Sequence, residues 1–243
     1  EAGLRSYNME MQEEINRIIT DRISDILFCP SLDAKKNLIQ EGQNIFDSSI
    51  VISGDVMEDA LNMFLPVAEK KSKILEKYNL LKNQYCICTL HRQENTDSLK
   101  KLKNIALALN KLSKNYNIIM PLHPRTKSVL KKYNLDLRVN LIPPLSYLDM
   151  LVLLKNCGLV MTDSGGLQKE AYFMNKYCIT LRNETEWVEL VENKYNTLVG
   201  SDVDRINKSF LKYFSKNLGN KIEFYGGGKA THNIVKFLLE VKI

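Results

Sequence analysis

The stretch GLVMTDSGGLQKEAYF, residues 158–173, decides the fold, because a buried strand, a glycine-containing loop and a helix follow one another directly. From about Gln84 onward the same order recurs, with short β-rich apolar runs alternating with longer runs of helical period. The predicted pairs are YCICTL with Ser98 to Leu112, NIIMPL with Lys127 to Tyr133, VNLI with Tyr147 to Lys155, GLVM with Leu167 to Phe173, and YCITL with a segment ending near Asn193. This alternation predicts βαβ units on a parallel sheet.

The chain before Gln84 predicts part of a second α/β domain. Met11 to Ile23 and Leu32 to Glu41 have helical patterns, and DILFCP and SSIVIS are candidate strands. Asp55 to Leu80 has a long helical pattern without a strong strand, and a last helix is predicted near Thr231 to Val241. We therefore predict a remaining part of an N-terminal domain at 1–54, an inter-domain link at 55–80, a nucleotide-binding domain at 81–228 and a C-terminal helix at 229–243.

Composition narrows the function classes. A chain of 243 residues with 44% hydrophobic content can bury one large core or two smaller ones. The excess of 34 Lys and Arg over 28 Asp and Glu is spread along the chain, which favours a small anionic substrate over nucleic acid. No apolar run reaches the roughly 18 to 20 residues that span a bilayer, so we expect no membrane segment.

The five cysteines lie in apolar segments without paired spacing, which is typical of reduced core thiols rather than of a metal site or disulfides. We therefore expect a cytoplasmic protein. The chain starts with Glu1 rather than methionine and carries no secretory signal, so we expect that an N-terminal portion has been lost.

Ionisable residues gather at the predicted carboxyl ends of the strands, where open parallel sheets bind ligands. His91 and Arg92 follow the first strand after Gln84, His123 follows the second, and Arg182 follows the fifth. Either histidine alone is as readily a structural residue, but two of the three histidines at equivalent strand ends indicate a site.

The DSGG loop after the fourth strand predicts an anion site. Gly165 and Gly166 let the backbone approach a ligand closely, and a helix predicted to begin at Gly166 presents unpaired N–H groups. Such a loop alone is also a common helix start, with Ser164 as a capping residue. Glu170, about one turn further on, is placed to accept hydrogen bonds from a ribose diol. Together, a diphosphate site and a ribose site predict a bound nucleotide.

Seven motifs follow one another along the chain. They are EAGLRS (1–6), QEEINR (12–17), TLHRQEN (89–95), PLHP (121–124), TDSGGLQKEA (162–171), LRNETEWVEL (181–190) and LVGSD (198–202). In this order they resemble the non-hydrolysing UDP-N-acetylglucosamine 2-epimerases over essentially the whole chain. The resemblance implies two Rossmann-like domains of glycosyltransferase-B type, the first incomplete in this chain, with the active site in the cleft between them. It also implies a homodimer that acts on a UDP-sugar and needs no metal or redox cofactor.

The implied reaction removes the C2 proton of UDP-N-acetylglucosamine and eliminates UDP in the anti sense. The resulting 2-acetamidoglucal then takes UDP back with the opposite C2 configuration, which gives UDP-N-acetylmannosamine. By motif, Glu1 and Glu13 match the family's essential carboxylates. His91 matches its essential histidine, which is suited to stabilising the departing UDP.

The resemblance also implies the substrate-binding residues. Ser164, Gly165 and Gly166 match the diphosphate-binding turn, and Glu170 matches the ribose-binding glutamate. Three further residues have less specific expected roles. Arg92 belongs to the loop of the essential histidine, Arg182 is expected to contact a phosphate or a neighbouring loop, and His123 matches a histidine that in some bacterial members helps to bind a second, activating UDP-sugar.

Some positions depart from the family pattern. Lys169 replaces the first residue of a usual Glu-Glu pair, at a position expected to be exposed. Met150 stands where many members place an aromatic residue against uracil, which leaves an apolar contact without stacking. Gln12 replaces a common proline, and TEWVE replaces TERPE at 185–189. The QKEA and TEWVEL combination also resembles the branch that acts on diacetamido-sugar uronates, so two sugars stay open.

Two other classes of protein share part of this pattern. A retaining glycosyltransferase of the same fold group would also have a glycine-rich turn followed by a ribose-binding glutamate, but EAGLRS and HRQEN favour the epimerase. A non-catalytic UDP-sugar sensor would lose the carboxylates, and Glu1 and Glu13 argue against it. The chain lacks the family's initial strand, its Arg-Pro-Glu loop and a required aspartate. We therefore expect these 243 residues to bind UDP but not to catalyse the epimerisation of a UDP-sugar.

Overall fold

The computed structural model describes residues 1–216, 218–219 and 221–241, which form two compact units. Unit 1 comprises Glu1–Phe64, Thr185–Glu189 and the segment 221–241. Unit 2 comprises Leu65–Glu184 and the described residues of 190–220. The predicted ranges 81–228 and 229–243 each include residues outside this description, and the four predicted domain ranges stay predictions.

The helices and strands alternate along most of the chain. The helices are α1 (Gln12–Ile23), α2 (Leu32–Gln40), α3 (Val56–Lys71), α4 (Ile74–Lys77), α5 (Gln93–Thr96), α6 (Leu99–Leu112), α7 (Pro124–Lys132), α8 (Tyr147–Asn156), α9 (Gly165–Phe173), α10 (Val188–Glu192), α11 (Val203–Tyr213) and α12 (Ala230–Glu240). The strands are β1 (Ile26–Cys29), β2 (Ser49–Ile52), β3 (Tyr85–Thr89), β4 (Asn117–Pro121), β5 (Asn140–Ile142), β6 (Leu159–Thr162), β7 (Cys178–Thr180) and β8 (Asn196–Leu198). Each element predicted from the sequence has a counterpart here, whereas α5, β8 and α11 were not predicted.

Unit 2 is built on one six-stranded parallel sheet in the order β5-β4-β3-β6-β7-β8. Its central strands are buried on both faces, which is why β3 and β6 read as continuous apolar runs. Leu102, Ile105 and Leu109 of α6 and Ile206 and Phe210 of α11 belong to the core beside them. The predicted α/β fold with a parallel sheet is confirmed.

The chain reverses its direction across this sheet beside β3. It runs from β3 through β4 to β5 at one edge, returns to β6 on the other side of β3, and continues to β8. Thr89 and Thr162, at the carboxyl ends of β3 and β6, are paired in register, and their hydroxyl oxygens lie 2.6 Å apart. Loops that leave two neighbouring strands in opposite directions open a crevice, which is the usual ligand site of such sheets.

Unit 1 joins the N-terminal strands to the end of the described chain. β1 and β2 form a two-stranded parallel sheet, and Phe237 of α12 packs edge-on against Phe28 of β1 with ring centres 5.7 Å apart. The Asp55 N–H donates to the Tyr225 carbonyl at 2.8 Å. A Cβ on Gly54, which has φ +88°, would lie 2.4 Å from that same carbonyl oxygen, so this close approach requires glycine.

Candidate functional site

The crevice at the carboxyl ends of β3 and β6 forms a cavity of about 410 Å³ in unit 2, a size typical of small-molecule sites. It is lined by Thr89, Leu90, His91, Pro121, His123, Pro144, Leu145, Met150, Ser164, Gly166, Leu167 and Glu170. Half of these were predicted from the sequence as site residues: His91, His123, Met150, Ser164, Gly166 and Glu170. The fold therefore brings together predicted site residues that are up to 79 positions apart, from His91 to Glu170.

Asp163 connects the two loops that meet at the crevice. Its side chain is fully buried and accepts hydrogen bonds from the backbone N–H groups of His91, at 3.0 and 3.1 Å, and of Arg92, at 2.9 Å. The Asn95 amide donates to it at 3.2 Å and also to the Leu181 carbonyl at 2.9 Å. Asp163 therefore fixes the loop after β3 relative to β6, a role that the sequence did not reveal.

His91 is oriented by the same carboxylate. Its Nδ1 lies 3.2 Å from Asp163 Oδ1, while the side chain stays partly exposed to the cavity. A carboxylate beside Nδ1 keeps the proton on that nitrogen, because the carboxylate can only accept. The Nε2 atom of neutral His91 therefore has a lone pair available for a proton.

His123 has the opposite arrangement. It caps α7, and its Nδ1 accepts a hydrogen bond from the Arg125 N–H at 3.2 Å, which leaves the proton on Nε2. The rings of His91 and His123 have centres 5.6 Å apart and are tilted by 39°. Neighbouring strands thus supply the cavity with one imidazole that accepts a proton and one that donates a hydrogen bond.

The DSGG turn starts a helix at the cavity wall. α9 begins at Gly165, one residue earlier than predicted, because Ser164 is its N-cap and accepts from the Leu167 N–H at 3.5 Å. The Ser164 N–H in turn donates to Thr162 Oγ1 at 2.9 Å. Gly166 lines the cavity in the first turn, where helical N–H groups have no partner within the helix. This end of the cavity suits an anion.

Glu170 of α9 places a buried carboxylate at the same cavity. Its exposure is 8%, and burial raises the pKa of Glu170 above the ordinary value, although a hydrogen bond from Tyr147 and the charge of Lys169 oppose that rise. Lys169 is only 1% exposed. The expectation that this position is exposed was therefore wrong, because nearly every residue of α9 is covered by the packing around it.

The two predicted arginines are not among the cavity-lining residues. Arg92 follows His91, and its backbone N–H is bonded to Asp163. Arg182 lies just after β7 and is buried, and its carbonyl accepts from the Gly200 N–H at 3.0 Å. Both residues make further interactions within the folded chain.

Unit 1 contains a separate cluster of carboxylates around Arg17 of α1. The Arg17 guanidinium lies 2.7 Å from Glu14, 3.8 Å from Glu186 and 3.9 Å from Glu1. Glu14 is fully buried. Burial would raise the pKa of Glu14, but hydrogen bonds from Ser6, Arg17 and Tyr7 outweigh it and keep this pKa below the ordinary value.

Comparison with known proteins agrees with this architecture. A sequence model described as UDP-N-acetylglucosamine 2-epimerase matches residues 1–239. The chain belongs to this family.

Individual relatives agree with that assignment. The chain is 45% identical to the UDP-2,3-diacetamido-2,3-dideoxy-D-glucuronate 2-epimerase of Pseudomonas aeruginosa, over 99% of this chain and 67% of the relative. The crystal structure of the Methanocaldococcus jannaschii UDP-GlcNAc 2-epimerase in complex with UDP-GlcNAc and UDP matches with a TM-score of 0.90 and 39% identity, over 99% of this chain and 68% of that one. The chain thus spans about two thirds of the length of these epimerases.

A more distant similarity concerns the fold alone. The wall teichoic acid polymerase TagF matches with a TM-score of 0.53 at 15% identity, over 96% of this chain and 60% of that one. The α/β architecture with parallel sheets is therefore shared beyond the epimerases.

Membership of the epimerase family directs attention to the carboxylates of unit 1. Glu1 is largely exposed and lies near Arg17, whereas Glu13 is exposed on α1 one residue before the buried Glu14. Arg17 was overlooked as a candidate, although it ends the QEEINR motif. Two residues of TEWVE (185–189) contact Tyr225. Trp187 is buried with its ring centre 6.1 Å from that of Tyr225, and Glu189 accepts a hydrogen bond from the Tyr225 hydroxyl at 2.6 Å.

The described residues, 1–216, 218–219 and 221–241, include neither a metal-ligand cluster nor a membrane-spanning helix. Within this part of the chain, no group of three or more His, Cys, Asp and Glu side chains is arranged to hold a metal ion. Nor does any helix of the same residues combine the length and apolar character needed to cross a membrane.

Proposed function

We propose that this member of the epimerase family binds a UDP-sugar in the unit 2 cavity and inverts the sugar at C2. The observation that carries the proposal is the cavity itself, in which an anion-accepting helix start, two oriented histidines and a buried carboxylate converge. In such a cavity the helix start could bind a diphosphate and the carboxylate could accept hydrogen bonds from a ribose diol.

UDP would lie with its diphosphate at the start of α9 and its uracil next to α8. The diphosphate would contact Ser164, Gly165 and Gly166, because the first turn of α9 offers N–H donors and a positive dipole end. Glu170 would accept hydrogen bonds from the ribose hydroxyls. Met150 of α8 would give the uracil an apolar contact. Arg92, in the loop of His91, would also contact the UDP-sugar. Arg182 would contact a phosphate or a neighbouring loop, and His123 would help to bind a second, activating UDP-sugar.

The reaction would need a base, an acid and support for the leaving group. A carboxylate, Glu1 or Glu13, would take the C2 proton, and the electron pair left at C2 would form the C1–C2 double bond as the C1–O bond to UDP breaks. His91, once protonated on Nε2, would donate a hydrogen bond to the departing diphosphate and so stabilise it. Re-addition of UDP to the 2-acetamidoglucal, with a proton delivered to the opposite face of C2, would complete the inversion.

Two substrates deserve a direct comparison. UDP-N-acetylglucosamine is the substrate named for the family. A UDP-diacetamido-sugar uronate is the second candidate, because a relative with 45% identity is named for that reaction. We further propose a homodimer, as the family resemblance implies, and a cytoplasmic location, which the five buried free thiols support.

The deciding experiment is NMR in deuterium oxide with each UDP-sugar in turn. Because this chain spans about two thirds of the length of its relatives, the experiment uses a protein as long as those relatives. We expect deuterium at C2 and signals of the C2 epimer, with faster exchange for the true substrate. If neither sugar gave deuterium at C2 or signals of the C2 epimer, in protein that binds UDP, the epimerase assignment would be contradicted and nucleotide binding alone would remain.

A further inference from the structure

A hydrogen bond between Tyr147 and Glu170 joins two helices at the edge of the cavity. Tyr147 is the first residue of α8, and Met150, one turn further along the same helix, lines the cavity. Glu170 reaches the cavity from α9. The start of α8 therefore lies next to the group that is proposed to bind the ribose.

Glu170 depends on a donor because it is buried. An ionised carboxylate accepts hydrogen bonds only, and burying it without donors is strongly unfavourable. Lys169 contributes favourable charge, whereas Tyr147 contributes a directed O–H, and both counteract the effect of burial on the pKa of Glu170. Burial and the charge of Glu170 raise the pKa of Tyr147 to about 12, so its hydroxyl stays protonated at neutral pH and can donate.

The backbone around Tyr147 is fixed by its neighbours. Ser146 caps α8, accepting from the Asp149 N–H at 3.2 Å and donating to Asp149 Oδ2 at 2.9 Å. Ser72 donates to the other oxygen of Asp149 at 2.5 Å. Because the helix start is held at both carboxylate oxygens of Asp149, Tyr147 can orient Glu170 rather than follow it.

We propose that Tyr147 is a positioning residue that keeps Glu170 ionised and oriented for a ribose diol, and thereby sets the preference for ribose over 2′-deoxyribose nucleotides. This inference rests on the proposed binding of UDP through Glu170. A carboxylate fixed by one phenol presents its remaining lone pairs in one direction. Loss of the phenol would allow it to rotate and to take up a proton more easily.

The test is Tyr147→Phe, which removes only the hydroxyl from a half-exposed side chain. Calorimetry measures the affinities for UDP, 2′-deoxy-UDP and pyrophosphate. We expect wild-type protein to prefer UDP over its 2′-deoxy analogue. In the variant, UDP affinity should fall about tenfold, as expected for a lost hydrogen bond to a charged group. Pyrophosphate affinity should not change, and the preference for ribose should shrink.

A pH series separates orientation from a general structural effect. Ionised Glu170 is the form that accepts the ribose hydroxyls, so UDP affinity should fall as the pH falls through the pKa of Glu170. Without Tyr147 that decline should start at a higher pH. Tyr133→Phe, at the end of α7, removes a hydroxyl elsewhere in unit 2 and should change neither the UDP affinity nor the pH at which it declines.

Three outcomes are informative. An unchanged ratio of UDP to 2′-deoxy-UDP affinity and an unchanged pH profile in Tyr147→Phe would overturn this inference alone. Wild-type protein that binds pyrophosphate as tightly as UDP would overturn the ribose assignment on which it rests. A tenfold loss for all three ligands would mean that Tyr147 supports the cavity generally, and would also contradict the positioning role.

Discussion

Asp163 in unit 2 and Glu14 in unit 1 are both fully buried carboxylates that bind the backbone N–H groups of a preceding loop. Asp163 binds the N–H groups of His91 and Arg92, and Glu14 binds those of Ser6 and Tyr7 at 2.9 to 3.0 Å. Each also contacts a basic side chain: Asp163 lies 3.2 Å from the His91 imidazole, and Glu14 lies 2.7 Å from the Arg17 guanidinium. The same structural device thus serves two kinds of chemistry.

The surroundings of the two carboxylates differ. Asp163 lies just after β6, a central strand of the six-stranded sheet, and the groups it orients face a formed cavity. Glu14 lies on a helix beside a two-stranded sheet, and α1 also exposes Ile15, Ile19 and Ile23 along one face. Two strands alone give little stability. The comparison indicates that the groups oriented by Asp163 face a formed cavity, whereas Glu1 and Glu13 stay exposed beside the buried Glu14.

The largest expected effect comes from removing the imidazole at the cavity. His91→Ala should lower kcat for epimerisation by about 100-fold or more, as is usual for loss of an acid or an electrostatic group in the transition state. The measurement is steady-state turnover in protein of the relatives' length. His232→Ala, on the exposed side of α12, is the matched control. An unchanged kcat in His91→Ala would remove this residue from the reaction.

The two buried carboxylates give the next largest effect. Asp163→Ala and Glu14→Ala should each lower the free energy of unfolding by about 2 to 3 kcal/mol, because each leaves buried N–H donors unpaired. Only Asp163→Ala should also weaken UDP binding. Chemical denaturation and calorimetry on the same samples measure both quantities. Equal losses of UDP affinity would mean that the nucleotide site depends on both units.

The contribution of Glu14 should depend on pH. Hydrogen bonds keep the pKa of Glu14 below its ordinary value of 4.5 despite burial. Its stabilisation should therefore be present in full above that ordinary value and be lost as the pH falls through the lower folded-state pKa. The difference in stability between wild type and Glu14→Ala should shrink accordingly in acid.

The smallest effect concerns the ribose. Glu170→Gln should weaken UDP by about tenfold, because a neutral amide replaces a charged acceptor, and should leave pyrophosphate binding nearly unchanged. Burial raises the pKa of Glu170, so wild-type UDP affinity should begin to fall at a higher pH than for an exposed glutamate. The variant should lack that pH dependence. Equal losses for both ligands would contradict the ribose assignment.

Much of unit 2 could be predicted because its signals are local. Apolar strands, glycine turns and histidines after the strands are all visible in the sequence, and they were sufficient to predict half of the residues that line the cavity. β8 was not predicted because Asn196–Leu198 is short and has few apolar residues. α11 had a readable start, since Asp202 accepts from the Arg205 N–H at 2.8 Å, and Ile206 and Phe210 are spaced for one buried face.

Features that depend on distant contacts could not be predicted. Asp163 acts on backbone groups about 70 positions away, which leave no trace in its own motif. The burial of Lys169 follows from the packing around α9, and a lysine in the first half of a helix otherwise indicates solvent. The hydroxyl of Tyr147 matters only because α8 and α9 meet at the cavity.

The return of the chain end to unit 1 has a consequence for synthesis on the ribosome. Chains emerge from the N-terminus onward, yet Phe28 of β1 packs against Phe237 of α12. The loop after β2 also bonds to Tyr225 and to Asn233, which donates to the Ser53 carbonyl at 3.0 Å. β1 therefore has to wait for α12 to be made, and every strand of unit 2 is made in between. During elongation the ring of Phe28 stays open to chaperones, and a stop codon before α12 would leave it without Phe237.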